Sequence, residues 1–145
     1  MTTQTLYEKD FNLWIEQTIN QLKNGDLSNL DRENLIEEIQ SMGNSDKREA
    51  FSRLKVLLMH LLKWKYQPQK RTASWLNTID EQREQLELIL KDSPSLKPYF
   101  HAILSECYQK AIRAAVNETN LPRKIFPIEC PFTPEEILDD NYFPE

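Results

Sequence analysis

The sequence predicts an all-α protein, an up-and-down bundle of four to five main helices with an irregular, Pro-rich C-terminal tail and a short terminal helix. Three observations carry this. Apolar residues recur at helical spacing over most of the chain, and no strand-like alternation appears. None of the eight prolines precedes Pro68, and five fall within residues 122–144, so long helices are permitted early and broken late. Helix start and stop signals fall between the apolar stripes.

The first stripe reads Tyr7, Phe11, Trp14, Ile15, Thr18 and Leu22, with Gly25 as its C-terminal stop. A second helix is expected to begin near Ser28–Asp31, where SNLD has capping-box spacing. Its stripe is Leu35, Ile39 and Met42, and Gly43-Asn44-Ser45 is expected to kink or end it. The pattern resumes with Ala50, Leu54, Leu57, Leu58 and Leu61 and closes around Trp64, since Gln67 precedes Pro68 and is biased away from the helix. Ser74 is the expected cap of a further helix with Trp75, Ile79, Leu86 and Leu90 inward. Ser93-Pro94 opens the next one, carrying Phe100, Ile103, Leu104, Cys107, Ala111 and Ala114 or Ala115. TPEE at 133–136 is a capping box with Pro at the first helical position, which predicts a short terminal helix. Trp14, Leu57, Leu61, Trp64, Ile79 and Ile103 are the expected buried core.

At 145 residues the chain reads as one domain, with a helical bundle over 7–121 and a tail over 122–145 packing on it. The longest apolar run, Val56 to Met59, is far short of a membrane span, so no membrane role is expected. MTTQTLYEKDF has no basic stretch followed by an apolar core, so a signal peptide is not expected. Two cysteines, Cys107 and Cys130, cannot form a disulfide framework, and a cytoplasmic location follows. Two glycines are too few for a dinucleotide fingerprint, a Walker phosphate loop or a nucleophile elbow. HExxH, CxxC and EF-hand patterns are missing as well, so neither a metal site nor a cofactor is predicted.

One stretch departs from this quiet background. Residues 47–75 hold eight bases and one acid, against ten bases and 22 acids elsewhere. Lys63, Trp64, Lys65, Tyr66, Lys70, Arg71 and Trp75 are the binding candidates, because lysines and arginines hold phosphates and aromatics stack bases. The competing reading makes Leu57, Leu61 and Trp64 core and the lysines a solvated face, neutralised by acids such as Glu81, Glu84 and Glu87. The net charge of −5 favours the second, so a nucleic acid is not the favoured partner. Arg53 and His60, with six residues between them, lie two turns apart on one helix face. That spacing resembles the Arg–His pair of all-α ribonucleases of the HEPN type, although Leu54 follows the arginine where a polar residue is common. The resemblance implies Arg53 and His60 as catalytic candidates for metal-independent RNA cleavage.

Acids also occur on apolar faces. Glu38 sits beside the Leu35–Met42 stripe, and Glu118 is in phase with Cys107, Ala111 and Ala114. Buried carboxylates need partners. Arg83, His60 and Lys63 are the candidates, which makes Glu38, His60, Arg83 and Glu118 a candidate buried polar cluster. A di-iron site needs Glu-x-x-His on two helices and is not supported, so a register-fixing ion pair is the favoured reading. Cys107 is expected in the core, Cys130 exposed in the tail without an activating partner, and His101 at the surface.

The segments YEKDFNLW at 7–14, LIEEIQSMG at 35–43, HLLKWKYQP at 60–68, SW at 74–75, TIDEQR at 78–83, SPSL at 93–96, ET at 118–119 and FPIECPF at 126–132 occur in an order that resembles a bacterial family. That family, abundant in cyanobacteria, is catalogued as domain of unknown function 29. The resemblance runs from Tyr7 to Pro144 and implies a small cytoplasmic helical protein, with no activity or catalytic residues to carry over. The function expected from the sequence is a non-enzymatic protein-interaction or regulatory module. Its partner is another protein or a second copy, with FPIECPF as a docking strap against this bundle or a partner.

Overall fold

In the computed structural model, which describes Thr2–Glu145 apart from the Gln4 side chain, Asp10 splits the first apolar stripe into two helices. These are α1 (Thr3–Lys9) and α2 (Phe11–Lys23). Asp10 ends one and begins the other. Its backbone N–H donates to the Leu6 carbonyl at 2.7 Å, and its carboxylate accepts from the Leu13 N–H at 3.1 Å. A carboxylate is among the best N-caps, so a local bond outweighs the spacing that favours an unbroken helix. α2 closes on Gly25, whose φ of 70° is the left-handed conformation a helix stop requires. The Asp26 N–H reaches the Gln21 carbonyl and the Gly25 N–H the Leu22 carbonyl, the paired bonds of a Schellman stop.

α3 runs from Arg32 to Tyr66, 35 residues without a break. Asp31 caps it, one turn later than Ser28. Its Oδ1 accepts from the Asn34 N–H at 3.4 Å and its Oδ2 from the Asn34 side-chain amide at 2.7 Å. Gly43-Asn44-Ser45 does not end the helix. A helical glycine costs about 1 kcal/mol relative to alanine, which a helix of this length absorbs. A Cβ at Gly43 would meet nothing within 4 Å. Residues 39–49 are all exposed. The chain divides into two compact units, one ending at Ser45 and the other spanning Asp46–Glu145. The division falls where α3 has little to bury, since QSMGNSDKRE offers Met42 as its one large apolar side chain.

In the first unit, Leu6 and Trp14 are the buried apolar side chains among the described residues. The Trp14 ring lies edge-on to Tyr7 at 5.0 Å and stacks on Phe11 at 5.6 Å. Its indole N–H donates to Asp31 Oδ2 at 3.3 Å, so the residue that caps α3 also ties it to α2.

The second unit has the larger core. Leu54, Leu57, Leu58, Leu61 and Leu62 of α3 meet Ile79, Leu86 and Leu90 of α4 (Ala73–Asp92) and Phe100, Ile103, Cys107, Tyr108, Ala111, Ile112 and Ala115 of α5 (Lys97–Thr119). Each fully buried leucine contributes roughly 1.5–3 kcal/mol. Of the six residues expected to be buried, five are, and Trp64 is partly exposed at the edge of this core. Thr72 caps α4 through the Trp75 N–H at 3.1 Å, so Ser74 lies inside the first turn. Pro94 opens a short 3-10 turn, and α5 begins three residues later with Pro98 in its first turn. The terminal helix α6 (Pro134–Leu138) carries the complete Thr133–Glu136 capping box. The tail folds onto α5. Tyr108 donates to the Pro127 carbonyl at 2.6 Å and Gln109 to that of Ile128 at 3.1 Å, while Phe126, Phe132 and Ile137 are buried.

Candidate functional site

The basic and aromatic side chains that end α3 are largely engaged by the chain itself. Arg71 donates from Nε to the Trp64 carbonyl at 2.8 Å and from a terminal nitrogen to the Pro144 carbonyl at 3.1 Å, with its guanidinium 4.9 Å from the Trp64 ring centre. Trp64 packs on Phe143 at 5.1 Å, and Tyr66 lies edge-on to Phe126 at 5.3 Å. Lys63 is buried along its stem. Its ammonium sits 2.7 Å from Glu118 and 4.6 Å from the centre of the Trp75 ring. Aromatic faces that would stack bases thus cover the tail or a lysine. Lys65, over Tyr66 at 5.9 Å, and Lys70, exposed beyond the helix end, are the binding candidates that the fold does not enlist.

Arg53 pairs with Glu49 at 2.9 Å on its own helix and reaches Gln82 of α4 at 3.3 Å. His60 is half-buried, and its Nδ1 donates to the Val56 carbonyl at 2.9 Å. A carbonyl can only accept, so this bond fixes the tautomer and leaves Nε2 as the acceptor. Burial lowers the His60 pKa from its ordinary 6.5, against an upward push from that hydrogen bond. Lys63 lowers it further and Glu118 raises it. The sign of the resulting pH dependence follows from linkage. The unfolded chain takes up a proton near pH 6.5 while the folded chain resists it, so His60's contribution is present above that pH. It is lost as pH falls from about 6.5 through the lower folded value. His60→Gln keeps a donor for Val56 and cannot titrate. Its urea midpoint should fall less than that of the unmodified chain between pH 7 and 5.5, and parallel curves would show that His60 does not titrate there.

His60, Arg83 and Glu118, expected with Glu38 in one buried polar cluster, form no hydrogen bond with one another. Glu38 accepts from the Tyr7 hydroxyl at 2.5 Å in the first unit, an interaction that pushes the phenol pKa up to about 12. Glu118 bonds Lys63 rather than His60, and its side chain is 49% exposed, because it follows the last buried turn of α5. Arg83 alone is fully buried, at 1% exposure. It donates to the carbonyls of Ile137 at 2.8 Å and Glu136 at 3.2 Å and lies 5.3 Å from the Phe143 ring centre. Its partners are backbone carbonyls at the end of α6, not carboxylates. Cys107 is buried, with its pKa pushed up to about 12 by burial, so its thiol is inert at neutral pH. Cys130 is partly buried against the Phe132 carbonyl, and His101 is exposed. Among the described residues, no group of three or more His, Cys, Asp or Glu is placed to hold a metal ion, and no helix is long and apolar enough to cross a membrane.

The feature that residue-by-residue motif reading passes over is a groove of about 280 Å³ between α2 and the start of α3. Phe11, Trp14, Ile15, Thr18, Ile19 and Leu22 form one wall, and Leu35, Glu38, Ile39 and Met42 the other. Ile39 is 59% exposed and Met42 68%, and Ile36 beside them is 56% exposed. Glu38, the one charged lining residue, is already bonded by Tyr7. A signal was present. Leu35, Ile39 and Met42 form an apolar stripe on a segment that holds no other helix-length apolar face to receive it, once α2 turns its own stripe to the same groove.

A family model described as "Domain of unknown function DUF29" matches residues 6–143. Neither the curated proteins nor the solved structures contain a match to this chain.

Proposed function

Because the chain belongs to the DUF29 family, a membership that names no activity, we propose from its own surface chemistry that it is a non-enzymatic protein-interaction module. Its recognition surface is the apolar groove of α2 and α3, and its ligand is an amphipathic helix. The single observation that carries this reading is the contiguous exposed stripe of Phe11, Ile19, Leu22, Ile39 and Met42. Exposed apolar patches of this kind are characteristic of docking surfaces, and a two-walled helical groove suits a third helix anchored at i, i+3 or i+4 and i+7.

RNA cleavage through Arg53 and His60 draws less support. Arg53 is held by Glu49 and Gln82, and Trp64 and Arg71 are occupied by Phe143 and Pro144. The two readings separate in one set of measurements. Methyl NMR of the full chain during titration with an amphipathic Leu- and Lys-containing helical peptide should shift Ile19, Ile39 and Met42 and spare the α4–α5 core. Structured and single-stranded RNA should remain uncut by both the unmodified chain and His60→Ala. Cleavage that His60→Ala abolishes, or RNA binding that falls steeply with salt, would replace this reading with the nucleic-acid one.

A further inference from the structure

We propose that the groove's physiological occupant is a second copy of this chain, docked groove to groove across a two-fold axis so that two α2–α3 hairpins form a four-helix arrangement. The inference rests on the preceding reading of the groove as a recognition surface and names what fills it. Three observations argue for it.

The first is area. Phe11, Ile19, Leu22, Ile36, Ile39 and Met42 each leave about half their surface open. Together that is on the order of 500 Å² per copy, as large as a monomer commonly exposes. Polar rim atoms would bring it toward the ~800 Å² per partner of a standard interface. An isologous contact uses one patch twice, so a single stripe suffices for both sides.

The second is charge. The first unit carries eight acids and three bases up to Ser45, a net −5. The groove lining itself holds little of that charge. Residues 17–22 of α2 (QTINQL) and 39–45 of α3 (IQSMGNS) contain no charged side chain. Glu38 is the one acid among the lining residues, and the Tyr7 hydroxyl already satisfies it. A basic partner would find Glu38 as the one lining acid to pair with, whereas a largely apolar face meets its own copy with a single hydrogen-bonded carboxylate on each side.

The third is Gly43. It follows Ile36 by seven residues and Ile39 by four, which places it on the same exposed face of α3. Among the described residues, a Cβ there would meet no atom within 4 Å beyond its own stretch of helix. The helix therefore gains nothing internally from lacking a side chain at that position. A glycine on an apolar helix face allows another helix backbone to approach closely, and a docked copy would supply that reason.

Sedimentation equilibrium of the full chain tests the proposal directly, with Gly43→Ala and Met42→Lys alongside. Neither variant disturbs a buried contact. The unmodified chain should sediment with twice the mass of one chain at micromolar concentration. Met42→Lys should be monomeric, and Gly43→Ala should dissociate at least ~10-fold more readily. Dilute Gly43→Ala monomer should nonetheless melt a few degrees higher than the unmodified monomer, because alanine is the better helix former. Weaker association together with a more stable monomer is a combination that a merely tolerated glycine does not produce. A chain monomeric at 100 μM or above, or a dimer indifferent to both substitutions, would overturn the proposal. In either case the helical-peptide titration tells whether the broader reading also falls: peptide binding at Ile39 and Met42 keeps the groove as a docking site for another protein, and no binding removes both.

Discussion

Arg83→Met should loosen the C-terminal segment and lower stability by about 2–3 kcal/mol. Arg83 supplies two hydrogen bonds, to the carbonyls of Ile137 and Glu136, from inside the core. Bonds from a charged donor are worth roughly 1.5–3 kcal/mol each, and losing the donor leaves the Ile137 carbonyl at the end of α6 without its partner, while the Glu136 carbonyl keeps the Asp139 N–H at 3.3 Å. One effect opposes this. A guanidinium taken from water is costly, its Nη1 has no partner, and burial pushes its pKa down while Asp140, Asp139 and Asp80 pull it back. Methionine relieves that penalty and keeps most of the apolar stem, so the net loss is smaller than the sum of the bonds. The Phe143 ring also loses its cation, and Phe143 is what covers Trp64. The segment after Ile137 should therefore open. Limited chymotrypsin digestion reads this at Tyr142 and Phe143, which should be cut faster in the variant, and urea melts read the global term. A variant that resists cleavage and melts like the unmodified chain would show that Arg83 does not hold the tail.

The elements that the sequence made legible are those whose apolar stripes find a partner stripe. Leu54, Leu57, Leu58 and Leu61 face Ile79, Leu86, Ile103 and Cys107, and there spacing alone predicts burial. The failures have local causes. Asp10 breaks a helix because a carboxylate can cap, which apolar spacing does not register. Gly43 fails to break one because glycine's helix penalty is a small fraction of what 35 consecutive residues provide. Arg83 and Glu118 are indistinguishable in sequence, each a charge in phase with apolar neighbours, yet one is sealed under α6 and the other reaches solvent. That outcome depends on where a distant tail lies. Basic residues at 63–75 look like a surface grip for the same reason, because Phe126, Phe143 and Pro144, which occupy them, are 51 or more positions away. The groove was readable as a stripe but not as an exposed one, since exposure is a statement about which helix is missing opposite it.

Trp14→Ala should unfold the first unit and leave the second intact. Trp14 is one of two buried apolar side chains among the described residues of that unit, so its loss removes most of what holds α1, α2 and the start of α3 together. Truncating a buried tryptophan costs about 3–5 kcal/mol. Tyr7 and Phe11 lose the ring they pack on, and Asp31 keeps the Asn34 amide and N–H but loses its link to α2. A unit so thinly packed has little stability to spare, and helices of seven and 13 residues do not persist alone in water. The α4–α5 core owes nothing to Trp14, because its leucines, aromatics and Ile137 pack within Asp46–Glu145. Native-state hydrogen exchange distinguishes the units. In the variant, amides from 11 to 42 should exchange at near-unfolded rates, while those of 54–62 and 107–115 stay protected as before. Far-ultraviolet circular dichroism should fall by the helix content of the first unit only, and the urea transition of the remainder should keep its midpoint. Loss of protection throughout would mean that the chain folds as one cooperative unit and that Trp14 supports all of it.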